Sequence, residues 1–197
     1  MRFILASASA SRQRVLTAAG IAFTAVPAAI DEAGLKNALL GAGAAAKDVA
    51  AALAEAKALH VSRAQPAALV LGADQTLLLG DELVSKCPDL DAARALLSRL
   101  RGRPHQLVGA LVLARAGAVV WRHGETSNLM VRDFSNTFLD AYLAAQGEGI
   151  LEAIGCYKLE GLGAQLFETV EGDYFSILGL PLFALLAELR RQGVVAT

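Results

Sequence analysis

The sequence predicts an α/β fold with a mixed sheet, built as one domain over residues 1–197. Short apolar runs alternate along the chain with longer stretches of helical periodicity. Residues 68–72 are apolar without interruption, which is typical of a central strand covered on both faces. No internal repeat, low-complexity segment or flexible linker divides the chain. We therefore expect a cleft between two lobes of one compact unit rather than two separable domains.

Composition indicates a folded protein with balanced charge. Hydrophobic residues make up 55% of the chain and charged residues 19%, which excludes a disordered chain. The 18 Lys and Arg oppose 19 Asp and Glu, whereas binding to a nucleic acid polymer needs a clear excess of cations. Two cysteines are too few for a disulfide framework, and no apolar run reaches the roughly 18 residues that span a bilayer. We expect a cytoplasmic protein without a nucleic acid or membrane partner.

Local signals define most of the elements. Residues 3–6 form a short buried strand, and a helix from about Ser11 to Ala19 ends at Gly20. Residues 21–26 form a second strand, which Pro27 stops. The other predicted elements are a long helix over 44–64, a hairpin of 76–79 and 83–84, a helix over 90–100 capped by Asp89, strands over 106–114 and 118–131, a helix from Ser135 to Ala145, and a last helix over 181–191.

The Ser-rich segment at residues 7–14 lies where the first strand gives way to the first helix. Free backbone N–H groups and the positive end of the helix dipole favour an anion there. Arg12 adds a planar donor fork that suits phosphate oxygens. An ordinary Ser cap followed by solvated arginines fits the same spacing, so both interpretations are open.

Asp74 comes just past the apolar run at residues 68–72. Ligand clefts of α/β sheets open outside the carboxyl ends of the strands, where such a carboxylate can reach a ligand. Taken alone, the local sequence slightly favours a turn residue or a cap.

Other charged candidates are weak when considered one by one. The default for Lys57 and Lys86 is a solvated surface position, and Glu32 is an ordinary loop acid within reach of a divalent ion. Glu160 precedes Gly161 and Gly163, which let the backbone turn tightly beside a flat ligand. A glycine loop with a solvated acid is the plain alternative. The three histidines lack metal-ligand spacing, so no zinc site is predicted.

The order of these landmarks resembles the Maf family of nucleoside triphosphate pyrophosphatases over essentially the whole chain. The matching segments are residues 5–9 with Arg12, residues 31–32, 54–58 and 71–75, Lys86, and residues 101–105, 160–163, 171–175 and 179–182. The resemblance implies an elongated, usually dimeric α/β fold with helices on both faces of a twisted mixed sheet, and a nucleotide in the cleft. It also implies hydrolysis of a nucleoside triphosphate to the monophosphate and pyrophosphate.

The resemblance carries residue roles with it. Asp74 is expected to act on water as the catalytic base. Glu32 is expected to help place a divalent metal, Mg²⁺ or Mn²⁺. The residues expected to hold the triphosphate are Ser7, Ser9, Arg12, Lys57 and Lys86.

Two positions are expected to face the base. The branch acting on dTTP and UTP has Asp-Thr and Gln-Gly there, whereas this chain has Gln75 and Glu160, as in the 7-methyl-GTP branch. Guanine presents two N–H donors on one edge, for which a carboxylate is the natural acceptor. We expect a guanine-type nucleotide, including 7-methyl-GTP, although these residues do not report on N7 methylation.

The chain departs from the family pattern at two places. Ala10 and Ser11 replace the usual Pro-Arg or Pro-Tyr, and Cys87 separates Lys86 from Pro88. We expect a weakened grip on the triphosphate with activity retained. The family is also associated with inhibition of septum formation, so a nucleotide-responsive binding protein in cell division is a second hypothesis. Asp74, both lysines and Glu32 favour turnover, because binding alone needs no placed base.

Overall fold

The computed structural model describes residues 1–196, apart from the side chains of residues 46 and 47. It confirms the predicted α/β class with a mixed sheet. The strands are β1 (Phe3–Leu5), β2 (Thr24–Ala25), β3 (Leu69–Leu79), β4 (Glu82–Val84), β5 (Pro104–Arg115), β6 (Ala118–Val131) and β7 (Phe167–Glu171). The helices are α1 (Ala10–Ala18), α2 (Glu32–Gly41), α3 (Ala46–Ala64), α4 (Leu90–Leu100), α5 (Asn136–Gln146), α6 (Tyr174–Ile177) and α7 (Leu182–Arg191), with 3-10 turns at Gly147–Ile150 and Leu162–Leu166. Thr197, the last residue of the predicted domain, lies outside the described residues.

The sheet has the strand order β2-β1-β3-β5-β6-β7, and β4 pairs with β3 beside this path. β1 is parallel to both β2 and β3, with Ile4 opposite Val70 in the second pair. β4 is antiparallel to β3 and β7 is antiparallel to β6. Both strand directions therefore occur in one sheet, as predicted.

The described chain divides into two compact units. The first contains Met1–Gln75, Val108–Glu125 and the stretch from Asp173 onwards, and the second contains Thr76–Leu107 and Thr126–Gly172. The prediction of a single domain stays a prediction.

In the first unit, the start of β3 is buried on both faces. Leu69 and Leu71 belong to one apolar cluster, and Ala68 and Val70 belong to another. Side chains alternate between the faces of a strand, so each face packs against its own layer. This confirms the predicted two-sided central strand.

In the second unit, α4 and α5 pack against each other through their apolar faces. Asp89 caps α4 by accepting a hydrogen bond from Ala92 N at 2.8 Å, and Ser135 caps α5 through Phe138 N at 3.1 Å. Both predicted caps are confirmed.

Cys87 and Cys156 are free thiols, and burial raises the pKa of Cys156 to about 12.

Several predicted boundaries are wrong. The second strand covers only Thr24–Ala25 of residues 21–26, and α2, α6 and β7 were not predicted. The two predicted strand segments around Asp74 form one strand, β3, that runs to Leu79. Pairing with neighbouring strands holds the backbone extended through a polar stretch, which local sequence does not reveal.

Among the described helices, none is long and apolar enough to cross a membrane.

Gly72 fixes how closely α3 approaches β3. A Cβ atom at Gly72 would lie 2.7 Å from Ala58 N and closer still to the carbonyl oxygen of Ala54. Both groups are backbone atoms of α3, so no side-chain rotation relieves the overlap. Only glycine permits this contact between helix and strand.

Gly72→Ala should therefore force α3 away from β3. We expect a loss of about 2–3 kcal/mol of unfolding free energy, the upper part of the range for overpacked cores, measured by urea denaturation. Gly41→Ala is the matched control, since a Cβ there meets nothing within 4 Å. Equal stability of the two variants would contradict this account of the contact.

Candidate active site

Lys57 lies between two carboxylates. Its Nζ is 2.7 Å from Oδ1 of Asp74 and 2.7 Å from Oε2 of Glu32. Lys57 is 7% exposed and Asp74 is 9% exposed, while Glu32 reaches in from the surface. Charges this deeply buried are tolerated only when they are paired. The default expectation of a solvated Lys57 is therefore wrong.

The three residues come from three elements of the first unit. Asp74 belongs to β3, and Lys57 belongs to α3, the helix that Gly72 allows to approach that strand. Glu32 is the first residue of α2, and Asp31 caps this helix by accepting a hydrogen bond from Gly34 N at 2.8 Å. The expectations that Asp74 follows a strand and that Glu32 lies in a loop are both wrong.

Arg12 is buried beside this group. Its Nε donates to the carbonyl oxygen of Gly179 at 2.9 Å, and its Nη1 donates to Oγ of Ser7 at 3.1 Å. Burial lowers the pKa of the Arg12 guanidinium from its ordinary value, and the carboxylates of Asp74 and Glu32 act in the opposite direction. The guanidinium and both acids therefore belong to one charged cluster.

Ser7 and Ser9 shape the turn from β1 into α1. Oγ of Ser9 accepts a hydrogen bond from Arg12 N at 3.4 Å, and Oγ of Ser7 accepts one from Ser9 N at 3.2 Å. Ser9 is therefore the N-cap of α1, and Ser7 holds the turn that leads into it. Ser7 also contacts the Arg12 guanidinium, so the cap interpretation and the anion-site interpretation of this segment are compatible.

Gln75 follows Asp74 and contacts the last residues of α6. Its Nε2 donates to the carbonyl oxygen of Ser176 at 2.8 Å and lies 3.4 Å from that of Ile177. Gly179 has a φ of 88°, and a Cβ there would lie 3.5 Å from Nε of Arg12. Neither Gly179 nor Ser176 was predicted as a site residue. The Gly-Leu-Pro sequence after Leu178 is the signal that marks this turn.

Lys86 and Glu160 belong to the second unit. Lys86 is exposed between β4 and α4, which agrees with the default expectation of a solvated surface position. Glu160 is exposed before the 3-10 turn Leu162–Leu166. This loop folds tightly on itself, since a Cβ at Gly163 would lie 2.6 Å from the carbonyl oxygen of Lys158. The predicted tight glycine turn is confirmed, and the roles of both charged residues stay predictions.

His105, at the start of β5, is buried in the second unit. Its Nε2 lies 2.6 Å from the hydroxyl of Tyr157, and its ring packs against Tyr157 and Phe167. Burial lowers the pKa of His105 to about 4, and burial raises the pKa of Tyr157. A neutral histidine at 2% exposure orders its surroundings rather than contacting a solvent-borne ligand.

The first unit thus gathers Ser7, Arg12, Glu32, Lys57, Asp74 and Gln75. Two cations and two carboxylates in this cluster cancel in formal charge, so it needs further positive charge to hold a polyanion. Within residues 1–196, no group of three or more His, Cys, Asp or Glu side chains forms a metal site by itself.

Known proteins resemble this chain along nearly its full length. The sequence profile described as Maf-like protein matches residues 2–192. A nucleoside triphosphate pyrophosphatase of Granulibacter bethesdensis is 49% identical over 98% of both chains. Two proteins named 7-methyl-GTP pyrophosphatase are similar as well. That of Rhizobium meliloti is 51% identical over 98% of this chain and 96% of its own, and that of Brucella abortus is 47% identical over 99% and 98%.

The buried His105 predicts a pH dependence of stability. Its folded pKa of about 4 lies below the ordinary 6.5, so the unfolded chain binds the proton first as pH falls. Unfolding free energy should fall between pH 6.5 and 4, with a contribution from His105 of up to about 1.4 kcal/mol per pH unit. Urea denaturation across this range measures the slope.

His105→Gln should reduce that slope, since it removes the titrating ring. His60→Gln is the control because His60 is exposed on α3. Identical slopes for wild type and His105→Gln would show that His105 is not held neutral by the fold.

Proposed function

The chain belongs to the family of Maf-like proteins, and from this premise we propose that it hydrolyses a nucleoside triphosphate to the monophosphate and pyrophosphate. The observation that carries the proposal is the buried Lys57 between Asp74 and Glu32, with Arg12 beside them. The relatives named as pyrophosphatases favour turnover over a purely regulatory role. With the activity we propose a cytoplasmic location, for which the composition is the support, and a homodimer, which the family resemblance implies.

In the proposed reaction, the cations of the first unit hold the triphosphate. Lys57 neutralises negative charge of the phosphates next to Asp74. Arg12 contacts Ser7 and Gly179 and still has N–H donors left for phosphate oxygens. Lys86 is proposed to add a further cation. Ser7 and Ser9 order the turn that carries Arg12.

Asp74 is the proposed general base. It accepts a proton from the water that attacks the α-phosphorus, and pyrophosphate leaves in line. Lys57 contacts only Oδ1 of Asp74, which leaves Oδ2 for the water. The assignment of the α-phosphorus follows from the family.

A divalent metal, Mg²⁺ or Mn²⁺, fits the donors of this cluster. Lys57 contacts one oxygen of Glu32 and one of Asp74, so each carboxylate keeps a second hard oxygen. A triphosphate carries roughly four negative charges, whereas the cluster of two cations and two carboxylates is formally neutral. Glu32 would hold the ion, which would supply that missing charge and make a bound water more acidic, while Oδ2 of Asp74 stays with the attacking water.

The base is proposed to be guanine-type, including 7-methylguanine. Glu160 would accept the two N–H donors of the guanine edge. Uracil or thymine would set carbonyl oxygens against the same carboxylate, an unpaired arrangement that costs about 1–3 kcal/mol. The names of two of the relatives, 7-methyl-GTP pyrophosphatase, support this preference.

Asp74→Asn should keep nucleotide binding and lose turnover. Loss of a general base reduces kcat by about 10²- to 10⁴-fold. The measurement is pyrophosphate release from a panel of triphosphates with Mg²⁺ or Mn²⁺ and with EDTA, beside nucleotide binding by calorimetry. Asp81→Asn, at an exposed turn residue, is the control. Turnover of Asp74→Asn at the wild-type rate would remove Asp74 from this role.

Glu160→Gln should change base preference rather than overall activity. We expect the ratio of kcat/KM for GTP to that for UTP to fall by about 5- to 150-fold, the equivalent of one mispaired polar edge. Glu152→Gln, an exposed acid of the same unit, should leave the ratio unchanged. An unaltered ratio in Glu160→Gln would exclude base recognition by this carboxylate.

A further inference from the structure

Four successive backbone carbonyls, at the end of α6 and in the turn that follows it, accept hydrogen bonds from three side chains of the first unit. We call residues 176–179 the carbonyl row. Gln75 Nε2 donates to the carbonyl of Ser176 at 2.8 Å and lies 3.4 Å from the next one. Oγ of Ser11 donates to Leu178 O at 3.2 Å, and Nε of Arg12 donates to Gly179 O at 2.9 Å. The row therefore joins Arg12 to the residue beside Asp74.

Both ends of the row are anchored. Oδ1 of Asp173 accepts hydrogen bonds from N of Ser176 at 3.0 Å and from its Oγ at 3.2 Å. After the row, Leu180 N donates to Phe175 O at 3.0 Å, and the Leu180 side chain is fully buried. Because the segment is held on both sides, its carbonyls offer fixed acceptors.

The row and Ser7 together define the orientation of the Arg12 guanidinium. The carbonyl oxygen of Gly179 accepts a hydrogen bond from Nε, and Oγ of Ser7 accepts one from Nη1. Nη2 donates to no acceptor among the described residues. A guanidinium fork binds phosphate well only when its plane is held in place. The two contacts fix that plane and leave Nη2 for a phosphate oxygen.

We propose that Gln75 and Ser11 are positioning residues for Arg12 and act through the carbonyl row. This inference rests on the proposed function and changes the role expected of Gln75. Its amide donors are engaged by the row, so it serves the phosphate end of the substrate rather than the base. Ser11 stands where the family usually has Arg or Tyr, and its contact with Leu178 ties α1 to the row.

The test uses a ligand without a base. Gln75→Met and Ser11→Ala should each weaken binding of inorganic triphosphate by about 3- to 10-fold, the value of one buried hydrogen bond, as measured by calorimetry. The GTP to UTP preference of both variants should stay at the wild-type value. Gln106→Met is the control, since its amide contacts Asn128 in the second unit and should not affect triphosphate binding.

A double-mutant cycle separates positioning from a general structural effect. In an Arg12→Lys background, Gln75→Met should cause little further loss of triphosphate binding, because the group that it positions is gone. Thermal unfolding of each variant checks the fold. Gly179→Ala is a third variant, in which the added Cβ lies 3.5 Å from Arg12 Nε at a φ that disfavours side chains.

Three results with the variants would overturn the inference. They are unchanged triphosphate binding by Gln75→Met, a shifted base preference in that variant, or a full additional loss in the Arg12→Lys background. Failure of the wild-type protein to bind inorganic triphosphate would also overturn it. If the wild-type protein binds triphosphate but releases pyrophosphate from no nucleotide, the proposed function fails while the binding measurements still decide the role of Gln75.

Discussion

The close backbone contact between α3 and β3 at Gly72 is the constraint on which the charged cluster depends. Lys57 carries its charge on a long flexible chain, and burying it costs both desolvation and side-chain entropy. The cost is acceptable only where a carboxylate is already in place. Because Gly72 lacks a Cβ, the helix lies directly on the strand, and Lys57 meets Asp74 at 2.7 Å. A packing feature without any charge thus determines the electrostatics of the site.

The pairing of charges has a chemical consequence. Lys57 and Arg12 balance Glu32 and Asp74, so the cluster is stable without ligand but has no net attraction for a polyanion. In the proposed reaction, a substrate that brings its own divalent cation would resolve this, because the ion would supply positive charge only when the phosphates arrive. The proposed metal dependence and the burial of Lys57 are therefore two aspects of one charge balance.

The sequence predicts those parts of this fold whose signals are local. It fails where residues distant in the chain determine the local structure. Asp89 and Ser135 begin α4 and α5 as predicted, because a cap is recognised by its own side chain and the residues that follow. β3 runs through Asp74 because flanking strands hold it extended. α2 was missed although Asp31 caps it, since Gly34 and Gly41 weaken its helical pattern. The identities of the charged site residues came from the order of motifs, whereas the burial of Lys57 and the contacts of Gln75 follow from packing.

Ser11 shows how a departure from the family pattern changes in meaning once its contacts are known. In the sequence, the missing proline and cation indicate only a weaker hold on the triphosphate. In the structure, Oγ of Ser11 donates a hydrogen bond to Leu178 O. This oxygen belongs to the carbonyl row, which also accepts hydrogen bonds from Arg12 and Gln75. A charged side chain would have contributed attraction to phosphate directly. The hydroxyl instead contributes rigidity to the arginine that remains, and a fixed guanidinium loses less entropy on binding a phosphate than a mobile one. A smaller number of cations, each held more firmly, would thus suit the proposed phosphate site.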